Sequence, residues 1–120
     1  MSAESDFRAA LLAAPAVTAL VGQRVAVDRM EEGAPFPFVV FARTSSEMQY
    51  AIDGALHGTM VVLEVQCWAD NVLAAGALAD AVANVMLTQL PHQVIGRSSG
   101  YDPDTGRSLA SLTVYWWELP

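Results

Sequence analysis

The chain has 120 residues, of which 53% are apolar and 16% are charged, and its formal net charge is −7. The apolar fraction excludes a disordered tail and predicts one packed domain, while the low charged fraction favours apolar surface that other subunits cover. All six basic residues are arginine, scattered along an acidic chain. The sequence therefore lacks the clustered positive charge that binding to DNA or to an anionic membrane requires.

The first third of the chain predicts two helices followed by a short strand. Ser2 is placed to cap a helix that begins at Ala3, in which apolar residues recur at helical spacing. Pro15 ends this helix and fits the first position of a second one, which Gly22 terminates. Residues 24–28 are strand-like, and residues 30–37 form a loop.

Residues 38–45 and 59–69 predict two further strands. In the second, apolar residues alternate with Glu64 and Gln66, but Met60, Val62 and Trp68 also lie on the polar side. This strand is therefore predicted to be central and partly covered on both faces. The intervening segment, 46–58, is predicted to be a mobile extension of a hairpin that orders on contact with a neighbouring subunit. Its apolar residues are candidate interface residues: Met48, Tyr50, Ile52 and Leu56.

The last half of the chain predicts a long helix and two more strands. Asp70 is expected to cap a helix over 71–90, with Val72 and later residues on its inner face and a weakly polar back. Strands are predicted at 93–97 and 109–119, with a turn at 102–106. The order of elements predicts one α+β domain over residues 1–120, with a mainly antiparallel sheet and helices packed on one face.

Two short motifs match catalytic or metal-binding patterns only in part. Residues 96–100 read Gly-Arg-Ser-Ser-Gly, but a nucleophile elbow needs a strand, a sharp turn and a helix, with a histidine later in the chain. We interpret the segment as a polar loop before a turn. Asp102, Asp104 and Gly106 resemble the start of a calcium loop, but the glycine comes one place early and Thr113 occupies the twelfth position. A hairpin turn explains these residues better.

The remaining reactive side chains also favour structural roles. Cys67 and the two histidines have no zinc-like spacing, and Cys67 alternates onto the apolar face as a buried thiol. Glu64 could act as a general acid if buried, but a paired or peripheral carboxylate is the favoured reading. We predict no catalytic residue, no cofactor and no metal. Trp116 and Trp117 point to opposite faces, so one belongs to the core and the other is a candidate interface anchor.

Taken in order, several segments resemble the tail completion, or tail terminator, proteins of long-tailed phages, prophages and gene transfer agents. The resemblance covers almost the full chain and consists of fold-type features, without a catalytic signature. The segments that carry it are Phe7-Arg8-Ala9-Ala10-Leu11-Leu12, Leu20-Val21-Gly22-Gln23-Arg24-Val25, Pro35-Phe36-Pro37-Phe38-Val39-Val40-Phe41, Asp53-Gly54, Val65-Gln66-Cys67-Trp68-Ala69, Ala75-Gly76-Ala77-Leu78-Ala79-Asp80-Ala81-Val82, Tyr101-Asp102-Pro103-Asp104-Thr105-Gly106 and Val114-Tyr115-Trp116-Trp117.

The resemblance implies a virion protein, made in the host bacterial cytoplasm, that forms a ring, usually of six subunits, at the head-proximal end of the tail. Its expected partners are itself, the tail tube protein and the neck proteins. DNA passes through without specific binding, and no membrane is involved. The candidate channel-lining residues are Glu31, Glu32, Asp102 and Asp104. The alternatives are another neck component (an adaptor or head-closure protein), a small ligand-binding or enzymatic domain around Glu64, or a cytosolic homodimer.

Overall fold

A computed structural model describes residues 2–89 and 92–119 of the chain. Its elements, in order, are α1 (Ala3–Leu12), α2 (Pro15–Val21), β1 (Val25–Val27), β2 (Phe38–Tyr50), β3 (Leu56–Ala69), α3 (Val72–Met86), β4 (Gln93–Asp102) and β5 (Arg107–Glu118). The strands form one sheet in the order β1-β2-β3-β5-β4, in which β1 is parallel to β2 and the other pairs are antiparallel. The predicted α+β class, with a mainly antiparallel sheet, is confirmed.

The helices begin where local chemistry satisfies their first amide groups. The Ser2 hydroxyl accepts a hydrogen bond from the Ser5 amide, and Pro15 opens α2, which ends at Gly22 with a φ of 60°. For α3, the predicted cap was wrong by one residue. The Asn71 side chain, not that of Asp70, accepts from the Ala74 amide at 2.9 Å, because Asn71 is the last residue with an extended backbone.

The inner face of α3 also begins later than predicted, and the helix ends earlier. Val72 is 64% exposed because it is the first residue of the helix, and the buried stripe starts at Ala75. The helix ends at Met86, whereas the sequence predicts it to continue to residue 90, which lies outside the described residues. Asp70 instead forms an ion pair with Arg107 at 3.0 Å.

The core lies between the three helices and one face of the sheet. Every second residue of β3, from Val61 to Ala69, is buried there. Phe7 of α1 forms T-shaped ring pairs with Phe41 and Trp116, with ring centroids 4.8 and 5.7 Å away. Aromatic residues from three distant parts of the chain therefore fix α1 against the sheet.

The β2–β3 hairpin extends well past the rest of the sheet. The predicted strand ends, at residues 45 and 59, are too conservative, since pairing continues to Tyr50 opposite Leu56. Residues 46–58 form an arm at this end of the sheet, in which residues 46–48 lie level with the end of β5 and residues 49–58 extend beyond it as a two-stranded hairpin. The sequence predicts this segment as a hairpin extension; its mobility stays a prediction. The arm contributes to an elongated subunit of 53 × 28 × 23 Å.

Candidate assembly site

One face of the sheet is left open by this chain. Within residues 2–89 and 92–119, the buried residues of all three helices join the core on the opposite face. The expectation that β3 is central and partly covered on both faces agrees with this arrangement: β3 is the middle strand, and its outer residues are half-buried although no helix of the described chain packs over them. An antiparallel sheet usually presents polar residues to water on its free face. Here many outer residues are apolar or aromatic, namely Val40, Met60, Val62, Trp68, Leu109, Tyr115 and Trp117.

The adjacent tryptophans divide between the two faces, as the sequence predicts. Trp116 is 4% exposed and stacks on His92, with ring centroids 3.7 Å apart. It is therefore the tryptophan that belongs to the core, and it offers almost no surface to another subunit. Trp117 lies on the open face directly over Gly58. A Cβ atom at Gly58 would approach the Trp117 ring to 2.5 Å, so only glycine allows this contact. Trp117 therefore remains as the candidate interface anchor.

The arm presents the apolar residues singled out from the sequence. Met48 and Tyr50 are 60% and 61% exposed, Leu56 is 38% exposed, and Ile52 at the turn is fully exposed. Such a concentration of apolar side chains on a projecting hairpin is typical of a surface that contacts another protein.

The four acidic channel candidates lie in two segments at the same end of the sheet, opposite the arm. Glu31 and Glu32 belong to the loop between β1 and β2, and Asp102 and Asp104 belong to the β4–β5 turn. The strand register places both segments at the same end, because Phe38 pairs with Trp68, which pairs in turn with Leu109 near that turn. The described structure thus has an apolar end and an acidic end.

An ion pair lies at the acidic end. The Arg107 guanidinium contacts Asp70 at 3.0 Å and lies 4.8 Å from the centre of the Phe36 ring. It links the loop that carries Glu31 to the start of β5, because Phe36 belongs to that loop. Sequence reasoning missed this link, since Phe36 and Arg107 are far apart in the chain.

The Gly-Arg-Ser-Ser-Gly segment is a strand, so the interpretation as a polar loop is wrong. Ser98 lies opposite Ser111 and Ser99 opposite Ala110 within the continuous β4–β5 ladder. A nucleophile elbow requires a sharp turn at the serine, which this ladder does not make. The turn that follows uses Asp102 internally: its carboxylate accepts hydrogen bonds from the Asp104 amide and the Thr105 hydroxyl.

The remaining candidate groups have structural partners. Burial raises the pKa of Cys67 to about 12, so its thiol stays protonated and unreactive at neutral pH. Glu64 lies on the open face and accepts a hydrogen bond from the Thr113 hydroxyl at 3.1 Å. In the described part of the chain, no three acidic, histidine or cysteine side chains are grouped to hold a metal ion. No helix among the described residues is long and apolar enough to cross a membrane.

Comparison with known proteins links this architecture to phage tails. The family model described as "Tail completion protein gp17" matches residues 5–119. The fold is similar to that of a chain in a solved structure described as "Virion of native gene transfer agent (GTA) particle", with a TM-score of 0.73. The sequences are 17% identical over 98% of this chain and 94% of that chain, so this likeness concerns the fold. Comparison with curated proteins gives no significant match.

Proposed function

Because the chain belongs to the tail completion protein gp17 family, we propose that it forms a hexameric ring that closes the head-proximal end of the tail tube and joins the tube to the neck. The chain is a structural component of a phage-like virion tail. The observation that carries the proposal is the exposed apolar arm, whose Ile52, Met48 and Tyr50 are left exposed by the described part of the subunit. Exposed apolar side chains grouped in this way mark a surface that contacts another protein.

The unlike surfaces of the subunit support a ring. The arm and the acidic end are different surfaces at opposite ends of the sheet. Contacts between unlike surfaces are heterologous, and such contacts close into rings when the rotation between subunits divides a full turn. The tail tube protein and the neck proteins are the partners on the two sides of this ring.

The acidic end supports a negatively charged lining of the central hole. DNA must pass a tail terminator without being held, and each Arg or Lys bound to a phosphate would add affinity through counterion release. Carboxylates repel the backbone over about 8–10 Å in physiological salt. Glu31, Glu32, Asp102 and Asp104 are the residues proposed for this role. The alternative is that the acidic excess only keeps the subunit soluble.

Addition of the purified protein to growing tail tubes tests the proposal. We expect the protein to bind at one tube end and stop elongation there, with a ring and a central hole in negative stain and six subunits by native mass spectrometry.

Deletion of residues 49–56 should leave a folded subunit that no longer assembles, whereas loss of folding would place the arm in the core. An adaptor or head-closure protein would bind portal-bearing heads without binding tubes. A monomer that joins no particle contradicts both roles.

The channel lining has its own test in an assembled particle. Replacing the four candidate carboxylates with the corresponding amides should leave the ring intact and raise its affinity for DNA at low salt. The substitutions are Glu31→Gln, Glu32→Gln, Asp102→Asn and Asp104→Asn. Asp6→Asn is the control, because Asp6 lies on α1 outside the acidic end and forms no ion pair among the described residues. An assembled structure in which arginines outnumber carboxylates along the hole refutes the lining.

A further inference from the structure

Two stretches of strand edge carry unpaired backbone groups in the described structure. β4 is the last strand of the sheet and exposes one edge over ten residues, Gln93–Asp102. β2 is covered by β1 only from Val39 to Phe41, so its edge is open beyond that point. On the β1 side of β2, the last backbone hydrogen bond runs from the Asp28 amide to the Phe41 carbonyl. Residues 42–50 pair with β3 on their other side but have no strand next to them on this side. The open edges lie on opposite sides of the same sheet.

The β1 edge is blocked in a way that the other two edges are not. β1 has three residues, and the Arg8 side chain donates a hydrogen bond to the outward carbonyl of Val25 at 2.9 Å. Short length and a covering charged side chain are common protections against strand addition. β4 contains neither lysine nor proline, and its Arg97 is drawn away from the edge into an ion pair with Asp80 on α3 at 2.6 Å.

Two glycines in β4 are not required by the packing of the subunit. A Cβ atom at Gly96 would lie 3.8 Å from Thr113, and one at Gly100 would lie 3.4 Å from Leu109, both ordinary contact distances. Glycine within a strand weakens it unless another backbone approaches closely. Together with Ser98 and Ser99, these residues give β4 a small, uncharged edge that a further strand can reach.

We propose that β4 of one subunit pairs with the open edge of β2 of the next subunit, so that the sheet continues from copy to copy around the ring. The inference rests on the proposed ring and assigns its subunit contact. β4 is antiparallel to β5, and β5 and β2 are both antiparallel to β3. A neighbouring copy in the same orientation therefore presents β2 antiparallel to β4, which is the more stable pairing.

The pairing also fixes a stagger between subunits. At equal height, only residues 42–45 of β2 face β4, because Gln93 lies at the level of Tyr115, Val62 and Ser45. Pairing the full open edges requires a shift along the strands of about six residues, or roughly 20 Å. A closed ring accommodates such a shift when its strands tilt relative to the ring axis, as in any closed barrel.

Proline substitutions at the edges test this contact. In an edge strand, the amides of two consecutive residues point in opposite directions, one toward the neighbouring strand and one toward the free edge. Proline is tolerated only where the amide points toward the free edge, because no hydrogen bond within the subunit is then lost. Ser98→Pro and Ser99→Pro are compared for β4, and Ser46→Pro and Glu47→Pro for β2. Of the two proline variants of each strand, the one that keeps the wild-type melting temperature has lost only an outward amide. This variant is called the edge-blocked subunit for that strand. Alanine at the same positions is the control, since it retains the amide.

We expect each edge-blocked subunit alone to lose ring formation on tail tubes, while the alanine controls assemble. A mixture of the β2-blocked and β4-blocked subunits should give a one-to-one dimer and no ring, because exactly one competent contact remains. Should proline unfold the subunit at both positions of a pair, Ser98→Lys and Ser46→Lys replace it, since edge lysine blocks strand addition without removing an amide.

The outcomes separate this contact from the ring itself. Failure of the wild-type protein to form any ring refutes the proposed function. If the wild-type protein and both edge-blocked variants all form rings, the edge pairing is refuted and the proposed ring stands. Self-association of the β2-blocked variant would show that β4 pairs with another β4, which also overturns the proposal.

Discussion

The two adjacent tryptophans provide a matched test of which face of the sheet stabilises the subunit and which assembles. Trp116 is buried among Phe7 and His92, whereas Trp117 lies half-exposed on the open face over Gly58. We therefore expect Trp116→Ala to act on folding and Trp117→Ala to act on assembly, although the residues are neighbours in sequence.

The magnitudes follow from burial. Truncation of a fully buried tryptophan typically costs about 3–5 kcal/mol. A domain of this size has a total stability of about 5–15 kcal/mol, so Trp116→Ala should lower the melting temperature by roughly 10–20 °C. Trp117 is half-buried in the subunit, and its removal should cost about 1 kcal/mol. An aromatic anchor at an interface contributes about 2 kcal/mol or more, so Trp117→Ala should weaken each subunit contact about thirty-fold.

Two measurements on the same preparations decide the matter. Urea unfolding gives the loss of stability, and the protein concentration needed for ring formation on tail tubes gives the loss of assembly. Trp117→Phe, which retains an aromatic ring, should recover most of the assembly. Equal destabilisation by the two alanine variants, or unchanged assembly of Trp117→Ala at temperatures where it is folded, would refute the division between the faces.

Three further predictions concern the fold. Asn71→Ala should cost about 1 kcal/mol in thermal unfolding because it removes the α3 cap, whereas Asp70→Ala should cost less than half of that; the reverse order would restore Asp70 as the cap. Burial lowers the pKa of His92, and its neutral Nδ1 accepts a hydrogen bond from the Trp117 amide. The free energy of unfolding should therefore fall as the pH drops below about 6.5, where the unfolded histidine gains a proton more readily than the folded one. His92→Gln should abolish this pH dependence in urea titrations. The hydrogen bond from Arg43 lowers the pKa of Glu4, so part of the free energy of unfolding should be lost as the pH falls through about 4.5 and below. An Arg43→Met variant whose free energy of unfolding falls equally steeply in acid would contradict this.

Local chemistry predicted the helices well because their ends depend on neighbouring residues. The Ser2 hydroxyl, the fixed φ of Pro15 and the positive φ of Gly22 each act within a few residues of their own position. Alternation of apolar residues also identified β3 and its buried face. The one-residue error at Asp70 arose because aspartate and asparagine are equally good caps, so adjacent candidates cannot be ranked by type.

Strand ends and the open edges could not be read from sequence because pairing with a distant strand determines them. Most of residues 46–50 and 98–101 are polar or small, and these segments are strands because β3 and β5 provide backbone partners. The same limit applies to Arg43, which lies at a bulge in β2 and bridges Glu4 and Glu118 at 2.7 Å each. No local pattern connects an arginine with carboxylates at the two ends of the chain.

Most arginines of this acidic subunit are used in contacts within the subunit. Two of them donate hydrogen bonds to backbone carbonyls, two are engaged by carboxylates, and one does both: in that order, Arg8 and Arg24, Arg43 and Arg107, and Arg97. Their positive charge is used to hold helices and loops to the sheet. Glu31, Glu32, Asp102 and Asp104 form no ion pair in the described part of the chain, so they leave the acidic end with uncompensated charge. A ring that repeats this end in every subunit would concentrate the negative potential at the hole, where repulsion of the phosphate backbone favours passage over binding.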